Sequence, residues 1–435
     1  MIEKILIFVL LTSFLGLYFL RVDRFEFIPL STNWALLGLT LQTYGILINV
    51  DIYNTSETYF LLFAVLGFFG FILGVFFTNY VLEFNAKSEV AALMRNPWRG
   101  MRKSDWYYSL FIFLLSIIAL IIFLKLIGGS VILNSITDMM IGVNSSEISV
   151  SAAEARKAIH YGSTSEYYAP GYFGQFTNTL LPLSFLIFLF VDKTKFYKLV
   201  ILLIVISGVL AIIGTTATGR RGVIIGFAVF LAIFGSWKAN SPKRLTKKYR
   251  AILILLIVLA MGFLSTLLGR VESDIFSGFI ALYDRIFVSP AIVELKTFHL
   301  VVKDSIPTYG LGWLKELSDI LPGHEMGYVQ EIHHQLGGSE HGASGFGPYN
   351  SKLFNFGFYL GIFFSFIWGA IVHAYQIFIV RKSPKSNIWI VFCYSSFLLG
   401  FATSPVDLFN QGFVACMIYI FGNWFIRGIL KRRDV

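Results

Sequence analysis

Residues 211–225 read AIIGTTATGRRGVII, two adjacent arginines inside an apolar run that carries no other charge from Leu199 to Trp237. On the membrane-insertion scale an arginine at the bilayer centre costs about 2.5–3.5 kcal/mol. A span needs about 20 mostly apolar residues, and 199–237 is too long for one. The Gly-Arg-Arg-Gly break therefore reads as a tight turn joining two helices, 199–217 and 221–237. Outward from this hairpin the same criterion places spans near 4–20, 32–50, 58–82, 106–127, 171–191, 251–269, 353–380, 388–403 and 412–427. The chain reads as an all-α polytopic integral membrane protein, a single domain over 1–435 with about 11 transmembrane helices.

Composition agrees. The chain is 56% hydrophobic and 14% charged, with a mean hydropathy of +0.72, outside the range of soluble domains. Its 45 phenylalanines suit lipid-facing and interfacial positions. The net charge of +10 would suggest nucleic acid in a soluble protein; here it reports which loops face the cytoplasm, and no nucleic-acid partner is expected. Cys393 and Cys416 both lie in apolar runs and form no disulfide framework. The start MIEK leads into an apolar segment with no small-residue cleavage site after Leu20, so it reads as a retained span.

Lysines and arginines in short loops orient the chain. The acid-free loop 238–250, the segment 83–105, the turn with Lys193, Lys195 and Lys198, the turn 381–385 and the tail 431–433 all read as cytoplasmic. The N-terminus then falls outside, with Lys4 against the trend and Arg21 and Arg24 with it. Two long segments remain on the outer side, 128–170 and 270–352. The second, a large loop expected to contain short helices, holds ten acids, six bases and five of the seven histidines. The turn with Arg220 and Arg221 also falls outside, against the positive-inside tendency. Two readings stay open: arginines snorkelling to the headgroups, or arginines that meet an anion, since the planar guanidinium fork suits phosphate or pyrophosphate.

Arg270 directly follows a span, and LYDRIFVSP (282–290) places Asp284 and Arg285 in an amphipathic stretch along the membrane. There a solvated interfacial face is the plain alternative. Next comes ILPGHEMGYVQEIHHQLGGSEHGASGFGPYN (320–350), rich in Gly and His, a composition that lets backbone approach a ligand closely. His324, His333, His334 and His341 do not have metal-site spacing, because HEMGY lacks the second histidine of HExxH and no cysteine helps. No metal or other cofactor is expected. A histidine serving as general base fits better: His341, closest to the membrane re-entry, comes first, followed by Glu325 and His324, with an exposed loop role as the alternative for each. His160 and His373 read as structural. Asp407, Asn410 and Gln411 in SPVDLFNQG are outer-face candidates or helix caps. Trp313, Tyr328 and Tyr349 are candidates for stacking on sugar rings or for packing.

Taken together, these segments resemble the O-antigen polymerase family, the oligosaccharide repeat-unit polymerases of bacterial surface polysaccharides, including the common-antigen type. The layout is similar: about a dozen spans and a large outer loop before the last ones. TGRRGVII resembles the family's Gly-Thr-Arg segment at the head of a span, matching Arg220. RIFVSP resembles its Arg followed five residues later by Pro, matching Arg285. LGR after the eighth span matches Arg270, and HGASGFGP resembles its His with Pro seven residues on, matching His341. Arg221 and HEMGYVQEIHH have no counterpart in the resemblance.

The resemblance implies transfer of a growing glycan from one undecaprenyl pyrophosphate carrier onto the next lipid-linked repeat unit. It places that reaction at the periplasmic face of the bacterial inner membrane. Arg220 and Arg285 would bind the pyrophosphate leaving group, with Arg270 and Arg221 in support, so that guanidinium groups stabilise the developing charge without a metal. His341 would accept the proton of the attacking hydroxyl, with Glu325 second; Arg285 counts among the catalytic residues as well. The implied partners are the undecaprenyl-pyrophosphate-linked oligosaccharide, the lipid bilayer, a chain-length regulator and a flippase. The alternatives are an O-antigen ligase-type transferase using the same donor, or a lipid-linked oligosaccharide flippase or transporter. A transporter would place ionisable groups near the bilayer midplane, on broken helices.

Overall fold

The computed structural model of the chain describes residues 2–24, 30–96, 103–126, 174–189, 197–216, 230, 284, 288–318, 346–382, 386–410 and 412–433. Among the described residues every regular element is helical. In chain order these are α1 (Ile2–Tyr18), α2 (Ser31–Asn49), α3 (Thr55–Val81), α4 (Ala86–Arg95), α5 (Lys103–Leu126), α6 (Leu181–Leu189), α7 (Tyr197–Thr216), α8 (Ser289–Thr297), α9 (Leu311–Ser318), α10 (Gly347–Arg381), α11 (Asn387–Leu399), α12 (Pro405–Asn410) and α13 (Phe413–Arg433). Phe19–Asp23, Phe176–Leu180 and Phe298–Val302 are π-helical turns. The π turn before α6 has a cause in Pro182, which lacks the N–H that would continue the α-helical ladder.

Among the described residues five helices are long and apolar enough to cross a membrane: Ile2–Asp23, Thr55–Val81, Ser104–Lys125, Lys198–Thr215 and Gly347–Arg381. Phe176–Leu189, Ile388–Leu399 and Phe413–Ile429 are shorter apolar helices. The exposed faces of the first group carry Leu6, Phe8, Leu62, Phe77, Ile118, Ile121, Leu202 and Val205, the surface expected against lipid. The predicted span 251–269, and 221–237 apart from Phe230, lie outside the described residues, as does the segment 128–170.

The chain divides into two compact units. The first combines Met1–Arg95, Tyr283–Ser383 and Ser396–Phe413. Its spine is the parallel pair α3 and α10, which meet through small residues. A Cβ at Gly74 would fall on the carbonyl oxygen of Phe366, and one at Gly369 on that of Phe71; Gly67 faces Tyr349 and Ser365. In a bilayer, where lipid is as apolar as leucine, such close backbone approach is what holds helices together. Around this pair the core gathers Phe60, Phe63, Phe68, Phe71, Phe298, Tyr349 and Val372.

Helix α2, predicted as an apolar span, is not among the five, because its Ser, Thr, Asn and Gln residues lower its hydropathy; several of them bind neighbouring helices. Ser31 Oγ donates to the Val372 carbonyl (2.9 Å), the Thr32 N–H to Gln376 Oε1 (3.0 Å), and Thr32 Oγ1 pairs with His373 Nδ1 (3.0 Å). These bonds satisfy an N-terminus buried away from water and give His373 its structural role. At the other end Lys4 Nζ donates to the carbonyls of Ile48 and Val50 (3.0 and 2.7 Å). Lys4 thus caps the negative end of α2, which accounts for its position against the charge trend.

The predicted span 353–380 is longer and broken. Within α10, Gly357 adopts φ 69°, ψ −169°, a conformation essentially confined to glycine. The carbonyl of Phe354, beside the break, accepts from the Thr308 N–H (3.1 Å), and Pro307 packs on Gly357. Alanine at Gly357 is expected to cost about 1–3 kcal/mol, read as a lower thermal midpoint in detergent. Helix α11 also ends early, at Leu399 rather than 403. Gly400 sits against the Ser31 carbonyl and the Trp34 side chain, and the chain then enters a capping box. Ser404 Oγ accepts the Asp407 N–H (3.3 Å) and Asp407 Oδ2 accepts the Ser404 N–H (3.1 Å), with Pro405 at the first helical position.

The second unit combines Asn96–Leu282, Pro384–Ser395 and Val414–Val435. Helices α5, α6 and α7 pack through Phe113, Leu120, Leu181, Phe188 and Ala211. Helix α13 is tied to α5 by a two-pronged pair: Arg427 Nε donates to Asp105 Oδ1 (2.6 Å) and Nη2 to Oδ2 (2.5 Å). Cys393 and Cys416 are both free and buried.

Candidate functional site

The two ends of the first unit differ in character. At one, Arg381 meets Glu89 (2.6 and 2.8 Å) and the Leu82 carbonyl (2.8 Å), joining the two basic segments that the sequence assigns to the cytoplasm. At the other lie the described parts of the segment 270–352: α8 with its π turn, α9 and the start of α10. They are held there by His299 Nε2 with Glu57 Oε1 (3.2 Å), by the ring pair Phe60–Phe298, and by Thr308 Oγ1 donating to Asn355 Oδ1 (2.9 Å).

Between these short helices and α2 is a buried polar cluster centred on Glu294, which is 1% exposed. Its Oε1 accepts the backbone N–H groups of Tyr349 (2.7 Å) and Asn350 (3.1 Å), so the carboxylate sits on the positive N-terminus of α10. Gln42 Nε2 donates to Oε2 and to the Pro290 carbonyl (3.1 Å), and Asn350 Nδ2 donates to the Glu294 carbonyl (2.6 Å). Thr43 Oγ1 and the Tyr349 hydroxyl close the cluster at 2.5 Å. Burial pushes the Glu294 carboxyl up to about 7, while the bonds from Tyr349, Gln42 and Asn350 and the Lys352 charge pull it down.

This has a consequence for stability. An unfolded glutamate loses its proton near pH ~4.3, whereas folded Glu294 keeps it to about 7. The folded state binds the extra proton between those values, so stability falls as pH rises through that window and is level above it. Glu294→Gln keeps the acceptor for the Tyr349 and Asn350 N–H groups and removes the titrating proton, though Gln42 must turn its amide and give up the Pro290 carbonyl. Whatever its constant offset, it is expected to gain in thermal midpoint relative to the wild type as pH rises across the window. A constant difference between the two proteins would show that Glu294 is not the titrating group.

Beside the cluster is a cavity of about 160 Å³ lined by Trp34, Gln42, Phe71, Lys352, Trp368 and Thr403, among others. Lys352 is 1% exposed. Its ammonium lies 6.0 Å from the Tyr349 ring centroid. Its charged neighbours Glu294 and Asp407 act on it through space, without an ion pair within contact distance. Trp368 Nε1 donates to the Ala402 carbonyl (3.1 Å), while Trp34 packs on Phe397 and Phe401. Irregular backbone at 400–403 therefore lines a cavity within the protein, away from lipid, where a membrane protein tolerates it.

The sequence candidates fall as follows. Arg220, Arg221, Arg270, Arg285, Glu325 and His341 lie outside the described residues, as do His160, His324, His333, His334, Tyr328 and Gln411. Asp284 is described and exposed. Asp407 caps α12, taking Thr403 N–H and Oγ1 (2.8 and 2.7 Å) as well as Ser404. Trp313 and Tyr349 are packed. Trp313 Nε1 donates to Ser351 Oγ (2.8 Å) and its ring meets Phe356 and Phe364 edge-on. Among the described residues no three His, Cys, Asp or Glu side chains converge as metal ligands. Glu294, Gln42 and Lys352 escaped the sequence reading. Their signal was slight: a glutamate inside SPAIVELKTFHLVV, a glutamine inside a span, and a lysine among asparagines at the head of one.

These features define an α-helical, multi-pass membrane protein with a buried polar site at one end of its first unit. Searches of protein-family models, curated proteins and solved structures each return no match to the chain.

Proposed function

We propose that the protein is a glycosyltransferase that polymerises undecaprenyl-pyrophosphate-linked oligosaccharide repeat units at the outer face of a bacterial inner membrane. In the reaction a sugar hydroxyl oxygen of the acceptor bonds to the anomeric carbon of the donor glycan. The bond from that carbon to the pyrophosphate oxygen breaks, and the electron pair leaves with the lipid pyrophosphate. Arg220 and Arg285, backed by Arg270 and Arg221, neutralise the leaving group; His341 takes the hydroxyl proton, with Glu325 as the second candidate. The observation that supports this reading is the gathering of short helices from the segment 270–352 around a buried polar cluster, at the end of the first unit opposite Arg381 and Glu89. That segment also carries Arg270, Arg285, Glu325 and His341 in the sequence.

The test counts the leaving group. Purified protein given lipid-linked repeat units is expected to release one undecaprenyl pyrophosphate for each new glycosidic bond. A second reading, a flippase for the same lipid-linked oligosaccharide, is favoured by the break at Gly357 and by the buried Glu294 and Lys352 at the start of the same helix. Transporters concentrate ionisable groups at interrupted helices. A flippase would move the substrate across a vesicle bilayer with no pyrophosphate released.

A further inference from the structure

We propose that the cavity bounded by α2, α10 and the 400–404 turn binds a compact organic anion, a carboxylate or phosphate carried on a single ring, with Lys352 as its charge partner. Three observations converge on this. First, the Lys352 side chain is 1% exposed and lines the cavity, and its one close partner among the described residues is the Tyr349 ring, with the ammonium 6.0 Å from the ring centroid. A buried ammonium requires an acceptor, and one of opposite charge serves best. Secondly, both carboxylates nearest in charge are committed elsewhere: Glu294 to the N-terminus of α10 and to Gln42, Asp407 to the cap of α12. Neither approaches Lys352 closely enough to form an ion pair.

Thirdly, the remaining wall presents two indoles, Trp34 and Trp368, together with Phe71. The volume of about 160 Å³ is comparable to the roughly 150 Å³ cavity that accommodates a benzene ring. A ring with an apolar C–H face and an acidic substituent satisfies both halves of this lining. A cation is disfavoured by the ammonium. A neutral ring leaves the ammonium without an ion-pair partner in contact. That the natural ligand is an acidic sugar unit of the glycan rests on the reading proposed above; the anion site does not.

Full-length protein in detergent is titrated with glucuronate, with glucose and with inorganic phosphate, following tryptophan fluorescence and the thermal midpoint. Glucuronate is expected to give a saturable fluorescence change and a rising midpoint, and glucose neither. Lys352→Met is expected to weaken glucuronate binding on the order of tenfold or more, while its ligand-free midpoint is equal to or above that of the wild type, because it removes a buried charge that no ion pair holds. Trp34→Phe is expected to reduce the fluorescence change with the midpoint response retained, which locates the signal at the cavity. A Lys352-independent response, or none to either anion, overturns the proposal. Phosphate binding as tightly as glucuronate overturns the ring requirement. Since no step of polymerisation enters this assay, its failure leaves pyrophosphate release as the separate arbiter of the proposed function.

Discussion

Alanine at Gly74 is expected to keep α3 and α10 from seating against each other, with a large drop in thermal midpoint and in yield of folded protein from detergent. The added methyl would occupy the position of the Phe366 carbonyl oxygen, with the Ala370 backbone nitrogen at 2.9 Å. Both obstacles are backbone, so no side-chain rotation relieves them and the helices must separate. Overpacking of a core costs about 1–3 kcal/mol where side chains can adjust; here the cost lies at or beyond the upper end. Gly16→Ala is the control, since nothing lies within 4 Å of a Cβ there, and alanine gains about 0.5–1 kcal/mol over glycine within a helix. If the two variants shift the midpoint alike, the close pairing of α3 with α10 is wrong.

The second large effect falls on chemistry. Arg220→Ala is expected to lower the rate of glycan joining by about 10²–10³, the range seen when a single preorganised donor to a developing negative charge is removed. Lysine at the same position should restore little, because a point charge does not reproduce the two-pronged contact that a guanidinium makes with pyrophosphate. Arg285→Ala should behave alike, and the double variant should lose less than the product of the two losses if both groups bind one pyrophosphate. A variant with unchanged rate and reduced membrane insertion would return Arg220 to the snorkelling role.

Much of the fold was legible because a membrane span is a local property. Length and apolar content locate α1, α3, α5, α7 and the main part of α10, and loop charge joins the ends that Arg381 and Glu89 bring together. The glycines of GFFGFILG were not singled out in the sequence, because what they seat against, the backbone of Phe366 and Ala370 for Gly74, lies about 300 residues further on. What the sequence hid is non-local. Glu294 draws its partners from Gln42 and from Tyr349 and Asn350, separated from it by 252, 55 and 56 positions. No periodicity marks such a meeting. Lys352 looked like a flanking residue because the apolar run begins one position later. The early end of α11 depends on Gly400 meeting the Ser31 carbonyl, again a contact between distant segments. Arg220, Arg270, Arg285 and His341 were singled out by their place in the sequence and then by resemblance in short segments, a different warrant from the geometry around Glu294.

The central claim is that this chain joins lipid-linked repeat units, and a gel reads it directly. Purified wild-type protein in detergent, with EDTA present, is incubated with its cognate undecaprenyl-pyrophosphate-linked repeat units, and the glycan products are separated by size. A ladder of whole-number multiples from the wild type, absent with Arg220→Ala, is the predicted result. Unchanged single repeat units from folded wild-type protein would contradict the claim and leave the ligase and flippase readings in its place.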